Sequence, residues 1–254
     1  MIGLSTTAIG QRPLSECLAI YEKLKAELSL DYLELAVGTR CDLSLIPPDI
    51  PLALHDRCLY DGSYKIPFSI AEPESWEEYR QRIIGRDVRI FSVHPPRRGE
   101  LSLDGLKRHC DALEALLGIP VCLEVMPAPN YWLSAEDFRN QPDALSDIPL
   151  LLDISHINLW TKGREAEVKG WVERLLPQAH READPCGIAI HLSHNNGRTD
   201  SHDIIPSGIW FEKYVAEWNA RGLFITYESL PEAFAKYERM DKQQWKKRKA
   251  QRSE

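Results

Sequence analysis

Residues 187–202 read GIAIHLSHNNGRTDSH. The first seven positions form an apolar run with the composition of a buried strand. His191 stands inside that run, and His194, Asp200 and His202 follow it among asparagines and a glycine. A strand that stops in so many groups able to bind a cation points to a parallel sheet whose strand ends build a site.

Other runs of the same kind recur along the chain. They are IGLST (2–6), YLELAV (32–37), PLALH (51–55), VRIFSVH (88–94), VCLEVM (121–126), PLLLDIS (149–155) and LFITYES (223–229). With GIAIHLS (187–193) they make eight. Helical periodicity fills most intervals, at 14–29, 74–85, 102–117, 163–177, 209–220 and from 231 onward, with a shorter candidate at 134–139. The segment LSLDGLKRHCDALEALLG repeats leucine at helical spacing, with Ser102 as N-cap and Gly118 as its stop. Prolines interrupt GTRCDLSLIPPDI, which reads as a loop in place of a helix. Eight strands alternating with helices predict an α/β fold, a single (β/α)8 TIM barrel. An open doubly wound sheet is the alternative, but the turn after the first strand, TTAIGQRP, lacks its glycine pattern. The barrel is expected over 1–245, followed by a basic tail at 246–254.

Ionisable residues close these strands. His55 ends the third and His94 the fourth; Glu124 lies near the end of the fifth. Asp153 closes the sixth with His156 three residues on, His191 closes the seventh before Asp200 and His202, and Glu228 closes the eighth. In a parallel barrel these ends converge on one face. One histidine or glutamate at a strand end is ordinarily a hydrogen-bonded core group, but four carboxylates and five histidines gathered without a cation would be costly. All nine are therefore candidate metal ligands. Asp200 and His202, two apart in an extended segment, can face the same way. His109 and His180 fall on helices and read as surface residues.

The chain has 254 residues, 43% of them hydrophobic and 27% charged, with net charge −7. Acidity of this size gives no general attraction to nucleic acid. The basic run KKRKAQR reads as a solvated end. No apolar run approaches the roughly 20 residues that span a bilayer. MIGLSTTAIG reads as a strand and not as an export signal, and the six cysteines have no paired spacing. These features predict a cytoplasmic protein with reduced core thiols and no membrane partner. A monomer and an oligomer are both compatible with them.

The pieces LALHDR, SVHPP, LEVMP, LLLDISH, IHLSHNNGRTDSH and ITYES resemble the xylose-isomerase-like TIM barrel superfamily, which includes endonuclease IV and many sugar isomerases and epimerases. The resemblance implies that Glu124, Asp153, His191 and Glu228 bind the shared metal. It implies that His55, His94, His156, Asp200 and His202 complete an endonuclease IV-type set. The cofactor expected is one to three divalent ions, with Zn, Mn or Fe suited to mixed imidazole and carboxylate ligands.

Three activities fit. The compact loop at 191–202 resembles that of sugar-phosphate isomerase/epimerase-like proteins, with His194 where aspartate is common, so isomerisation or epimerisation of a sugar or sugar phosphate ranks first. Glu124 and Glu228 would then be the catalytic proton-transfer pair, with His194, Asn195 and Arg198 as substrate contacts. Metal-assisted phosphoester hydrolysis of the endonuclease IV type ranks second, with Arg97, Arg98 or Arg198 holding a small phosphate. A multinuclear iron oxidative enzyme that modifies peptide cysteines ranks third, on the likeness of DSHD (200–203) to that group's motif.

Overall fold

The computed structural model describes residues 1–10, 12–36, 40–178 and 188–237. The tail at 246–254, His180 and Cys186 lie outside them. The eight apolar runs form eight strands: β1 (Ile2–Ser5), β2 (Tyr32–Leu35), β3 (Leu52–His55), β4 (Val88–Val93), β5 (Val121–Glu124), β6 (Leu150–Asp153), β7 (Ile188–Leu192) and β8 (Phe224–Tyr227). All pair in parallel with their neighbours in sequence, and β8 returns to β1 through Ile2–Ile225 and Leu4–Tyr227, closing the barrel. Closure leaves no exposed strand edge. The chain therefore has the (β/α)8 TIM-barrel fold.

Eight α-helices lie among the described residues: α1 (Thr6–Ile9), α2 (Leu14–Lys25), α3 (Trp76–Ile83), α4 (Leu103–Leu117), α5 (Ala135–Asn140), α6 (Ile154–Thr161), α7 (Glu165–Gln178) and α8 (Val215–Ala220). In α4 the Ser102 side chain accepts from Gly105 N at 3.1 Å, and Gly118 ends the helix at φ 68°. Leu106, Cys110 and Leu113 form its buried face at helical spacing. Among its described residues the proline-interrupted stretch holds only a 3-10 turn, Leu43–Leu45, and a small hairpin pairs Tyr60–Asp61 with Tyr64–Lys65. The helix expected from 231 onward is a 3-10 turn, Glu232–Tyr237, within the described residues, and two further helices lie outside the sequence expectation. α1 and α6 start directly at the ends of β1 and β6, because Ser5 and Asp153 leave the strand as N-caps. The expected strand at 149–155 is therefore cut at Asp153. Among the described residues no helix is long and apolar enough to cross a membrane.

The barrel interior is layered. Tyr32, Ala53, Ile90, Cys122, Leu151, Ala189 and Phe224 pack as one apolar cluster inside the strands. Side chains two residues apart on a strand share a face. The next layer toward the strand ends is therefore Glu34, His55, Ser92, Glu124, Asp153, His191 and Thr226. Polar residues begin where the apolar plug stops. The Tyr32 ring fills space left by Gly3, where a Cβ would stand 2.1 Å from it. Its hydroxyl meets Thr226 Oγ1 at 2.8 Å, so a fully buried phenol stays hydrogen-bonded. The larger core lies outside the strands, under the helices, and Cys17, Cys41, Cys58 and Cys110 are buried in it.

Candidate metal centre

Each strand end delivers its side chain for a local reason. Asp153 caps α6: its Oδ1 accepts from Ser155 N at 2.6 Å, from His156 N at 3.3 Å and from the Ser193 hydroxyl. Three donors use up Oδ1, and Oδ2 is left buried with no hydrogen-bond partner. The cap also starts the helix that carries His156. His156 Nδ1 lies 2.7 Å from Val125 O, which leaves Nε2 for Asp200 Oδ2 at 3.2 Å. His55 and His94 leave β3 and β4 side by side, their ring centroids 4.5 Å apart. Both Nε2 atoms stand 3.1 Å from Glu124 Oε2, and His156 Nδ1 stands 3.3 Å from Glu124 Oε1. His191 Nδ1 faces Glu228 Oε2 at 3.0 Å, and His202 Nδ1 faces the same oxygen at 3.6 Å.

The donors fall into three groups, each drawn together within 4.8 Å: His55/His94/Glu124, Glu124/Asp153/His156 and Asp153/His191/Glu228. Glu124 belongs to the first two and Asp153 to the last two. Asp153 Oδ2, His191 Nδ1, His202 Nδ1 and Glu228 Oε2 are buried without hydrogen-bond partners. Buried polar atoms are rarely left so, and each costs about 1–3 kcal/mol if nothing binds it. Their convergence fits a centre built for cations.

Electrostatics agree. Burial opposes charge on His55, but Asp56 and Glu124 outweigh it and raise its pKa to about 10. Burial is likewise outweighed at His156, by Asp153 and Glu124, and at His191, by Glu34 and Glu228; both stand well above the ordinary imidazole value. Glu124 and Glu228 are held below the usual carboxylate range by the histidines around them, against burial. Burial pushes Asp153 up. Without an ion, protons on the histidines balance the carboxylates; a divalent ion would take their place.

The mouth is a cavity of about 300 Å³ lined by His55, His94, Glu124, Asp153, His156, Asp200, His202 and Glu228, with Thr7, Ala36 and Arg57. His191 lies beneath it, fully buried. Eight of the nine residues picked from the strand ends thus line one cavity, and the ninth touches it through Glu228. The three expected substrate contacts do not line it. His194 and Asn195 face a separate cavity beside α6 and Trp210. The Asn195 amide holds the loop, donating to Ser155 O and accepting from Asn158 and from Gly197 N. Arg198 is exposed. Arg98 is tied to Asp137 at 2.6 Å, and Arg97 sits at the surface beside Tyr131. His109 is half-buried, 2.8 Å from Ile70 O, so it is no free surface group.

Sequence reasoning passed over Glu34, Asp56 and Arg57. Glu34 and Asp56 are buried, and each contacts candidate ligand histidines. Arg57 lines the mouth with its side chain 55% exposed, on a backbone at φ 59°. His202 also has positive φ, 46°. Non-glycine residues in that region are uncommon, and such strain gathers at working sites. The signals were present: HD at 55–56, and Glu34 two residues after the interior Tyr32.

No protein-family model matches the sequence, and no curated protein matches it. Solved structures do. The barrel is similar to a D-tagatose 3-epimerase-like protein, 18% identical with TM-score 0.56, over 93% of this chain and 96% of that one. It is similar to an AP endonuclease, family 2, from Brucella melitensis, 12% identical with TM-score 0.51, over 94% and 99%. It is also similar to the IolI protein with a bound zinc atom, 13% identical with TM-score 0.51, over 92% and 91%. The barrel fold of this chain is that of these structures.

Proposed function

We propose that the protein is a metal-dependent hydrolase of a small phosphoester, working through a multinuclear His/carboxylate centre. One observation carries this reading: three donor groups are chained through two shared carboxylates, Glu124 and Asp153. A site for one ion needs no shared carboxylate, whereas in-line displacement at phosphorus uses ions held a few ångströms apart. The charge supports the same reading. Glu34, Asp56, Glu124, Asp153, Asp200 and Glu228 bring six negative charges, which three divalent cations would balance with the imidazoles neutral. Zn, Mn or Fe suits these ligands.

When bound, such ions acidify a water and neutralise the phosphoryl oxygens. The protein's own residues divide the remaining work. Glu124, Asp153, His191 and Glu228 are buried and hold the centre from within the barrel. His94, Asp200 and His202, with side chains 31, 39 and 24% exposed, form the face that substrate meets. Arg57 on the same wall offers a planar guanidinium suited to phosphate oxygens. A mouth of about 300 Å³ suits a small molecule, and net charge −7 does not favour a polyanion.

The second reading is isomerisation or epimerisation of a sugar or sugar phosphate, favoured by the presence of both Glu124 and Glu228 on the mouth wall. It ranks behind hydrolysis on geometry. Both Glu124 oxygens already stand within 3.3 Å of histidine nitrogens, so Glu124, one half of the proton-transfer pair, is engaged elsewhere.

Metal analysis and two assays test this. We expect two or three transition-metal ions per chain and Zn- or Mn-dependent phosphate release from small phosphomonoesters or diesters. One ion per chain, with deuterium from solvent appearing on carbon of a ketose or ketose phosphate, would overturn it in favour of the isomerase. Iron with neither activity would favour oxidative peptide chemistry.

A further inference from the structure

Asp56 and Glu34 fall outside the three donor groups, yet each touches histidines that belong to them. Asp56 follows His55, and its amide is fixed to Ser92 O at 2.9 Å, which holds it between β3 and β4. One of its oxygens, Oδ1, lies 3.0 Å from His55 Nδ1 and also contacts His94 Nδ1. One carboxylate oxygen shared between two imidazole nitrogens acts as the acceptor, which places a proton on each Nδ1. Both Nε2 atoms are then the nitrogens that would face a cation once it displaces their protons. Both point at Glu124 Oε2 from 3.1 Å, in the first donor group.

Glu34 does the reverse. It occupies the interior face of β2 and is 1% exposed. Its Oε2 lies 2.9 Å from His191 Nε2. That nitrogen therefore carries a proton, and Nδ1 is the one that would face a cation. Nδ1 lies 3.0 Å from Glu228 Oε2, in the third donor group, and neither atom has a hydrogen-bond partner.

We propose that Asp56 and Glu34 are positioning residues that fix the cation-facing nitrogen of three histidines in opposite senses, Nε2 for His55 and His94 but Nδ1 for His191. The assignment rests on the multinuclear reading above. It adds that the first and third donor groups are oriented by separate carboxylates and can be disabled one at a time. A carboxylate behind a ligand histidine fixes its tautomer and raises its basicity, and its loss typically costs 10–100-fold in metal affinity.

The test uses the zinc-loaded full chain. Ring nitrogens of ¹⁵N-histidine-labelled protein are read by NMR, with resonances assigned through single His→Gln variants. Zinc content and affinity are measured for Asp56→Ala, Asp56→Asn, Glu34→Ala and Glu34→Gln. We expect protonated Nδ1 on His55 and His94 and protonated Nε2 on His191. We expect Asp56→Ala and Glu34→Ala each to weaken about one zinc by roughly 10–100-fold while the others stay. The Asn and Gln variants keep an accepting oxygen and should recover much of the loss, which a merely structural role would not predict. The same protonated nitrogen on all three histidines, or alanine variants with wild-type zinc affinity, would overturn the assignment while the multinuclear reading stands. Wild type that binds no ion would overturn both. Should the alanine variants fail to fold, the wild-type nitrogen assignments decide alone.

Discussion

Gly197 and Gly163 pack backbone against backbone. A Cβ at 197 would stand 2.3 Å from the Gly163 nitrogen, and both glycines have positive φ, 72° and 80°. This contact seats the loop that carries Asp200 and His202 on the turn between α6 and α7. Gly197→Ala should therefore cost about 2 kcal/mol or more, through an unfavourable φ and a clash that backbone alone can relieve. Thermal unfolding should show a drop of roughly 4–8 °C for a chain of this size. A loss below 1 °C would mean the loop is seated otherwise.

Glu124→Gln should disable more of the centre than any other single change. Glu124 touches His55, His94 and His156 and belongs to two donor groups. We expect loss of about two ions per chain and a fall in turnover of at least roughly 10³-fold, since residues acting as a unit fail together. His202→Ala, at the half-exposed rim, should lose less of both. Equal effects from the two variants would contradict the shared-carboxylate arrangement.

Arg57→Ala should act on substrate capture. Its guanidinium is 3.6 Å from Asp56 Oδ2 and largely open to the mouth. Losing a charge-assisted contact to phosphate costs about 1.5–3 kcal/mol. KM for a phosphoester should thus rise roughly 10-fold or more with kcat little changed. A kcat loss with KM constant would assign Arg57 to the transition state instead.

Stability should respond to pH in opposite ways with and without metal. The ion-free protein holds His55 at about 10, against 6.5 in the unfolded chain, with His156 and His191 also raised. A raised group stabilises fully below its unfolded value and loses that contribution as pH climbs through its folded value. The depressed Glu124 and Glu228 stabilise above the ordinary value of 4.5 and lose their contribution in acid. The ion-free melting temperature should thus peak at about pH 5–6.5 and fall toward pH 9. Stabilisation by added zinc should grow over that same rise, because ions and protons compete for the same nitrogens. An ion-free melting temperature that is flat or rising from pH 6.5 to 9 would contradict this.

Much of the architecture was legible because parallel strands are buried on both faces and read as unbroken apolar runs. Their last residues stood out because nothing apolar explains a histidine or glutamate there. Glu34 was hidden by the same logic: it sits inside YLELAV, where one charge among apolar neighbours looks like a solvent-facing position. Asp56 was hidden by His55, since adjacent residues on a strand ordinarily face opposite ways, and here the chain has already left β3. Asn195 was misplaced because the asparagine–glycine loop looks exposed in sequence, whereas its amide closes three hydrogen bonds within the fold. The starts of α1 and α6 were invisible because no loop residues announce them.

The apolar plug of Tyr32, Ala53, Ile90, Cys122, Leu151, Ala189 and Phe224 makes the barrel a blind well. Among the described residues this plug closes the floor beneath the mouth, so ions, water, substrate and product would share the mouth above it. Traffic through one opening has an order. In the ion-free well cations would displace the histidine protons that balance the carboxylates, while Arg57 at the rim is the cationic group that lines the opening. On the proposed hydrolase reading metal would arrive first, and a phosphoester bound in the mouth would then bar the way out for the ions beneath it. Substrate should therefore slow the removal of metal by a chelator without touching the deepest ligands.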